Sequence, residues 1–301
     1  MKRKITWIVL ILLLVCLCSV TLLGAAAGWL FFARPQPSPA RQELFPGVTY
    51  IREVRQDPRA MVIHIVIVDL RDPNIRLVVT PGDPQAESSL QARTTTDFLE
   101  EFDVQVAVNG DGFTPWWSNS ILDYYPHTGD PVEPVGFAAS EGTIYAQGSG
   151  AGPTLYISRK NRVKFNSPDG GIYNAISGNL MLLAAGKTLP EALQLAESNI
   201  PQPRSAVGLD KNGRRLIIVA VDGRQPNYSE GATLAELADI LIAHDAYFGM
   251  NLDGGGSTTL AAQGRLGSAR LLNSPIDHSI PGRERPVGNH LGIQVVQDNG
   301  N

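Results

Sequence analysis

The chain has 301 residues, 43% hydrophobic and 18% charged, which excludes a disordered or collagen-like polypeptide and leaves room for one large domain or two small ones. Its 30 glycines and 21 prolines point to a turn-rich, β-rich body. The net charge of −4 is uneven: residues 1–34 carry Lys2, Arg3, Lys4 and Arg34 and no acid, leaving 21 basic against 29 acidic side chains, −8, on the remainder. So acidic a body argues against binding to a phosphate backbone, and no nucleic-acid partner is expected.

No charged side chain occurs between Ile5 and Ala33, a run of 29 residues. About 20 apolar residues suffice to cross a bilayer as a helix. Lys2, Arg3 and Lys4 precede the run, and positive residues stay on the cytoplasmic side, so the body is expected outside the cytoplasm, held by a single-pass anchor over residues 1–33. The alternative is a secreted protein whose signal segment is cleaved near Gly24–Ala27; Ile5–Leu23 is long for a signal core of about 7–15 residues. Cys16 and Cys18 lie inside this run, where packing in lipid is the simpler reading than lipid attachment, because more apolar sequence follows each. The body itself has no cysteine, hence no disulfide framework, zinc ribbon or thiol nucleophile.

Arg34–Glu43 has three prolines in five residues and reads as an extended, solvated spacer, giving a linker over 34–45 and a single domain over 46–298. Along the domain, Met61–Asp69 (MVIHIVIVD) predicts a buried strand and Ile75–Thr80 an alternating one. Arg93–Phe102 predicts a helix with its N-cap among Thr94–Thr96. A short strand, Val104–Val108, runs into Asn109-Gly110-Asp111-Gly112. Short strands and glycine-rich turns fill Gly136–Lys164. Leu216–Val221 is a further buried strand, ending at Asp222-Gly223-Arg224. Thr233–His244 is the clearest helix: Leu234, Leu237, Ile240 and Leu241 repeat at helical spacing, and Thr233 with Glu236 forms a capping box. A strand near Ala246–Leu252 enters Asp253-Gly254-Gly255-Gly256-Ser257, and His290–Val296 closes the domain. The fold class expected is α+β, a single domain of mixed or antiparallel sheets with a few flanking helices.

Three loops, each following a strand, carry the chemical signal. Asn251–Thr259 (NLDGGGSTT) is the most specific, because a plain turn seldom needs three consecutive glycines; it matches neither a P-loop nor a dinucleotide fingerprint. Asp222-Gly223-Arg224, with Ser229 following, and Asn109-Gly110-Asp111-Gly112 are equally readable as hairpin turns when taken alone. Arg204, Arg283, Arg285 and Asn289 are candidate anion contacts, since the planar guanidinium fork suits phosphate. The five histidines show no metal-ligand spacing, and His64, within a strand, reads as structural. Trp116-Trp117 and Tyr124-Tyr125 suit either core packing or stacking on sugar rings.

Taken together, RSAVGLD from Arg204, VDGRQPNYSEGATLAELADIL, MNLDGGGSTTL, Asn273-Ser274-Pro275 and ERPVGNHLGIQV resemble the phosphodiester glycosidase family over about Pro46–Val296. VAVNGDGF and AISGNLMLLAAGK also fit its pattern, except that the family usually has glycine or another small residue where Asp111 stands. The resemblance implies a hydrolase that cleaves the bond between a sugar's anomeric carbon and a phosphate, with a glycan phosphodiester as partner and a role in exopolysaccharide or cell-wall metabolism. Such a site must hold an anion, recognise a pyranose and move a proton.

On that resemblance Asp253 is the chemical carboxylate and Asp222 its partner or orienter. Arg204 and Arg285 are the phosphate ligands. Asn109, Asp111, Arg224, Ser229, Asn251, Ser257 and Asn289 are substrate-binding or supporting groups, and Gly254, Gly255 and Gly256 would offer amides. No cofactor is expected. Two alternatives remain open at this point: a non-catalytic polysaccharide-binding module, and a phosphoesterase in which Asp111, Asp222 and Asp253 hold Ca²⁺ or Mg²⁺.

Overall fold

Met61–Asp69 is rich in β-branched residues on both of its faces because both are covered. Met61, Ile63 and Ile65 pack toward the helix Leu234–Ala243, while Val66 and Val68 pack toward a second sheet. The computed structural model of the protein describes residues 2–29, 34–148, 152–195 and 198–296. Within them this strand lies third in an eight-stranded sheet ordered Ala40–Phe45, Val48–Arg55, Met61–Asp69, Arg215–Val221, Arg204–Leu209, Phe248–Asn251, Leu180–Ala184, Lys187–Thr188. Every pairing in it is antiparallel.

A five-stranded antiparallel sheet stacks on it, ordered Ala269–Leu271, Leu260–Gln263, Val106–Asn109, His290–Val295, Ile75–Val79. Another five-stranded sheet, built from Thr143–Ala146, Ala138–Ser140, Asn174–Ser177, Thr154–Ile157 and Val163–Phe165, contributes Leu155, Ile157 and Ile176 to the same core. The helix Thr95–Glu101 covers the outer face of the second sheet, with Phe98 and Leu99 against Val104, Ala107 and Ala261. The layers are therefore helix, sheet, sheet, helix, as the α+β expectation required.

Both principal helices start where the sequence places them. Thr94 and Thr233 are the N-caps, each closing a capping box with Asp97 or Glu236. Each cap stabilises its helix by about 1 kcal/mol. Leu237 and Leu241 are fully buried against the eight-stranded sheet. Truncating either to alanine costs about 2–5 kcal/mol.

The N-terminal run forms a helix, Lys2–Gly28. Its segment Trp7–Gly28, 22 residues of mean hydropathy 3.0, is long and apolar enough to cross a membrane. The anchor's expected last residues, 30–33, and the domain's expected end at 298 lie outside the described residues. The linker expected over 34–45 is corrected in part. Ala40–Phe45 is an edge strand paired with Val48–Arg55. The prolines hold 34–39 without regular structure, yet the segment is docked on the body. The Arg34 guanidinium lies 4.0 Å from the Tyr228 ring centre and donates to Ser274 Oγ (2.7 Å) and Gln225 Oε1 (3.2 Å). The Gln36 side chain donates to the Tyr228 carbonyl at 2.7 Å.

Candidate active site

The three loops meet because antiparallel pairing brings their strands to one end. Arg204 opposes Val221, the residue before Asp222, and Ala206 opposes Asn251, so one strand starts where two others finish. In the second sheet His290 opposes Asn109, which sets Asn289 beside Gly110. The sheets are then laced together. Gly110 N–H donates to the Asn289 carbonyl (2.9 Å), Asp253 N–H to the Gly110 carbonyl (2.9 Å) and Leu252 N–H to the Ser205 carbonyl (2.9 Å). Asn109 is the knot: its Nδ2 donates to the Asp253 carbonyl at 2.8 Å, and its Oδ1 accepts from Ser205 Oγ at 2.6 Å and from the Thr259 amide at 3.2 Å.

Above this lacing lies a cavity of about 280 Å³ lined by Trp116, Asn179, Gln202, Arg204, Arg224, Asn251, Asp253, Gly254, Gly255, Gly256 and Arg285. A neighbouring hollow of about 260 Å³ shares Trp116, Asp253 and Arg285 with it. Asp253 is the cavity's carboxylate. Its Oδ1 accepts the Gly254 amide at 2.9 Å. Burial raises its pKa; a hydrogen bond from Ser257, the Arg285 charge and the Gly254 amide oppose the rise.

Three guanidiniums surround this carboxylate. Arg285 Nε donates to Asp277 Oδ1 at 2.8 Å, its Nη1 lies 3.4 Å from Ser257 Oγ, and its plane sits 4.9 Å from the Trp116 ring centre. A Cβ on Gly256 would fall 2.3 Å from Arg285 Nη2, so any side chain there would displace the guanidinium. Arg224 adopts a left-handed φ of +56° directly after Gly223, and its Nε donates to Gln202 Oε1 at 2.7 Å. A Cβ on Gly223 would meet Pro203 N at 2.5 Å, so glycine is required at the turn that aims Arg224. Desolvation lowers the Arg224 pKa, and the nearby Arg285 charge adds to this, as two cations facing one space should. Arg204 is buried, with Nε on the Ala232 carbonyl (3.3 Å) and Nη2 on that of Ile200 (3.2 Å).

The remaining expected site residues divide sharply. Asn251 lines the cavity, its Nδ2 donating to the Leu252 carbonyl at 2.7 Å and its buried Oδ1 without a partner. Ser257 lies fully buried beneath, between Asp253 and Arg285. Asn109, Asn289 and Ser229 do not line the cavity. Asn289 Oδ1 accepts the Asp111 amide at 2.8 Å, and Ser229 Oγ donates to the Asp222 carbonyl at 2.6 Å. Asp111 is also set back, its oxygens accepting the amides of Gly112 and Gly136. Burial pushes its pKa up to about 6, with the Asp253 charge adding a little.

Asp222 is corrected from partner of Asp253 to buried hub. It does not line the cavity. Its Oδ1 accepts from the Ser274 amide (2.8 Å) and Asn273 Nδ2 (3.1 Å), and its Oδ2 faces His64 Nε2 (3.1 Å) and the Tyr228 hydroxyl (3.3 Å). His64 in turn meets the Tyr50 hydroxyl through Nδ1 at 2.8 Å, in keeping with its structural reading. Among the described residues no three His, Cys, Asp or Glu side chains gather as a ligand set, so Asp111, Asp222 and Asp253 do not form the expected alternative cation site. Two of the three glycine amides are corrected too: Gly254 N–H is spent on Asp253 and Gly255 N–H on the Pro203 carbonyl at 2.8 Å. Arg283 is outside the cavity, over the Tyr124 ring at 5.1 Å.

Four residues at the site were not among those expected from the sequence as site groups: Gln202, Asn179, Asp277 and Trp116. Asn179 carried a signal as part of the AISGNLMLLAAGK segment, and Trp116 as part of the aromatic cluster. Its neighbour Trp117 instead stacks on Tyr125 with ring centres 4.5 Å apart.

Comparison with known proteins identifies the family. The family model for phosphodiester glycosidase matches residues 102–294, a span that holds every cavity-lining residue. The N-acetylglucosamine-1-phosphodiester alpha-N-acetylglucosaminidase of Bos taurus is 28% identical over 214 residues, covering 67% of this chain and 38% of that protein. Its Homo sapiens counterpart is 26% identical over 219 residues, 67% of this chain and 39% of that protein. The chain thus spans about two-fifths of the length of these relatives. The zebrafish catalytic domain of the same name, solved as auto-inhibited by its pro-peptide, superposes with a TM-score of 0.58 at 23% identity, covering 86% of this chain and 84% of that one, and shares its fold. With residues 102–294 matching its model, the chain belongs to the phosphodiester glycosidase family.

Proposed function

We propose that the protein hydrolyses the bond between the anomeric carbon and the phosphate of a glycosyl-1-phosphodiester, with N-acetylglucosamine, named for its relatives, as the first sugar to test. One observation carries this reading: the Asp253 carboxylate opens on the same cavity as three guanidiniums and an indole face. Arg285, Arg224 and Arg204 supply positive charge to a bound phosphodiester anion. Trp116, half exposed, offers the sugar a flat apolar surface.

In the step we envisage, Asp253 accepts a proton from a water molecule as its oxygen attacks the anomeric carbon. The bond from that carbon to the phosphate oxygen breaks, and the electron pair leaves with the phosphomonoester. Phosphate is already a good leaving group, so the arginines do more for it than a general acid would. Asp277 positions Arg285, and Gln202 positions Arg224, by the hydrogen bonds described above.

The test is turnover of a chromogenic aryl phosphodiester of N-acetylglucosamine 1-phosphate, coupled to detection of free sugar and phosphomonoester. Release of both by the wild-type chain supports the reading. A folded wild-type chain that binds the diester without cleaving it sinks the reading in favour of a binding module.

The apolar segment Trp7–Gly28, with Lys2, Arg3 and Lys4 ahead of it, supports a tether that holds this domain outside the cytoplasm, against an envelope or exopolysaccharide glycan. Fractionation with protease protection of intact cells checks it: a soluble or cytoplasmically protected domain contradicts the tether.

A further inference from the structure

The strand Arg204–Leu209 begins in the candidate active site and ends, about 17 Å away at about 3.3 Å per residue, beside a second cavity of about 490 Å³. That volume lies in the range of ligand clefts, about 300–1,000 Å³. Three separate turns converge on it: Leu70–Arg71, residues 160–165 and residues 210–214.

Its charge runs against the rest of the domain. Arg71, Lys160, Arg162, Lys164, Lys211 and Arg214 line it, in a body whose net charge is −8. The acids nearby offset only part of this charge, since Asp69, Asp169 and Asp210 stand against six cations. Asp69 is occupied by Arg71 through both oxygens (2.8 and 2.7 Å), and Asp169 is shared by Arg162 (2.9 Å) and Lys164 (3.6 Å). Asp210 is turned to the amides of its own loop, accepting from Arg214 N–H at 2.6 Å and Arg215 N–H at 3.0 Å. Lys211 lies over the Tyr247 ring, 5.7 Å from its centre. Lys160 and Arg214 have no ion pair among the described residues. Beneath the cations the floor is apolar, with Leu70, Leu209 and the rings of Phe165 and Phe248.

A small free anion would use the rim and leave the floor wet; an acyl chain would use the floor and needs a longer apolar channel. A sugar ring bearing a carboxylate or phosphate uses both, through its C–H face on an aromatic wall and its charge on the cations. We infer that this distal cavity is a second binding site, for an anionic sugar unit of a polysaccharide. Through it the domain holds a polyanionic glycan at a point remote from the candidate active site. The site stands independently of turnover at Asp253.

The test is calorimetric titration of the full chain in detergent with a uronic-acid oligosaccharide of about ten units, beside neutral dextran of equal length. Both are repeated with K160E/K211E/R214E and with the milder K160Q/K211Q/R214Q. The expected result is at least tenfold tighter binding of the acidic oligosaccharide than of dextran, weakened by 0.5 M salt as a screening length of about 4 Å implies, and at least tenfold lost in the reversal variant. The neutral variant should fall between, with the thermal unfolding midpoint and the turnover of a short aryl diester unchanged in both. Equal affinity in wild type and both variants overturns the inference, because the candidate active site alone would then account for binding. So does binding of phosphatidylglycerol vesicles, but not of the oligosaccharide, through these side chains, which would make the cavity a lipid contact.

Discussion

Asp253 and Asp222 begin as near twins. Each follows a hydrophobic strand, each precedes glycine, and both lie at the same end of the eight-stranded sheet. Their surroundings give them opposite work. Asp222 has four polar neighbours on its two oxygens and is 1% exposed. Asp253 has the amide of Gly254 and the hydroxyl of Ser257, and otherwise faces a cavity ringed by arginine. A carboxylate whose lone pairs are all spoken for holds loops together; one with spare acceptor capacity, raised pKa and neighbouring cations is free for chemistry.

The sharpest way to break that contrast is paired substitution. Asp253→Asn should abolish turnover of the aryl diester by about 10²–10⁴-fold, the worth of a general base, with the circular dichroism spectrum unchanged. Asp222→Ala should instead unfold the domain more easily, by about 3 kcal/mol or more, because His64, Asn273 and the Ser274 amide lose their shared buried partner. Urea titration reads the second effect. If Asp222→Ala kept full stability and lost turnover as Asp253→Asn does, the division of labour would be wrong.

Next in size is Arg285→Met. Loss of a charge-assisted phosphate contact, about 1.5–3 kcal/mol, should lower kcat/KM by about 10–100-fold. The same variant sharpens the electrostatics. Burial holds the Asp253 pKa above its usual value, and the Arg285 charge pulls it down. The ionised form takes the proton, so activity should rise with pH along an acidic limb above the ordinary carboxylate range of about 4. Removing Arg285 should move that limb to higher pH; a limb that stays fixed or moves down would contradict the placement of Arg285 beside Asp253. The smallest effect expected is that of Trp116→Ala, about fivefold in KM with kcat little changed, since an exposed ring contributes about 1 kcal/mol of stacking.

Much of the scaffold was legible because its causes are local. The Met61–Asp69 run, the capping boxes at Thr94 and Thr233 and the glycine-rich Asp253 loop each declare themselves within a few residues. What separates Asp253 from Asp222 is not local. His64 lies 158 positions from Asp222, Asn273 lies 51 away, and both reach it only through the folded sheets. Asp277 and Gln202, only 8 and 22 positions from the arginines they hold, were hidden because no local motif marks a side chain as a guanidinium's partner. Arg34 shows the opposite error: its proline-rich setting reads as solvated, while its side chain docks over Tyr228, a contact 194 positions away that no local pattern announces. Trp116 was ambiguous for a further reason, since a Trp-Trp pair on a two-stranded ribbon puts one ring on the cavity and the other on Tyr125.

The claim on which the rest depends is that bond cleavage occurs at the sugar carbon beside Asp253 and not at phosphorus. Hydrolysis of the aryl diester in ¹⁸O-labelled water, with mass analysis of the phosphomonoester released, tests it directly. The expected phosphomonoester carries no label, because the oxygen from water joins the anomeric carbon. A labelled phosphomonoester would mean attack at phosphorus, and the glycosidase reading would fall.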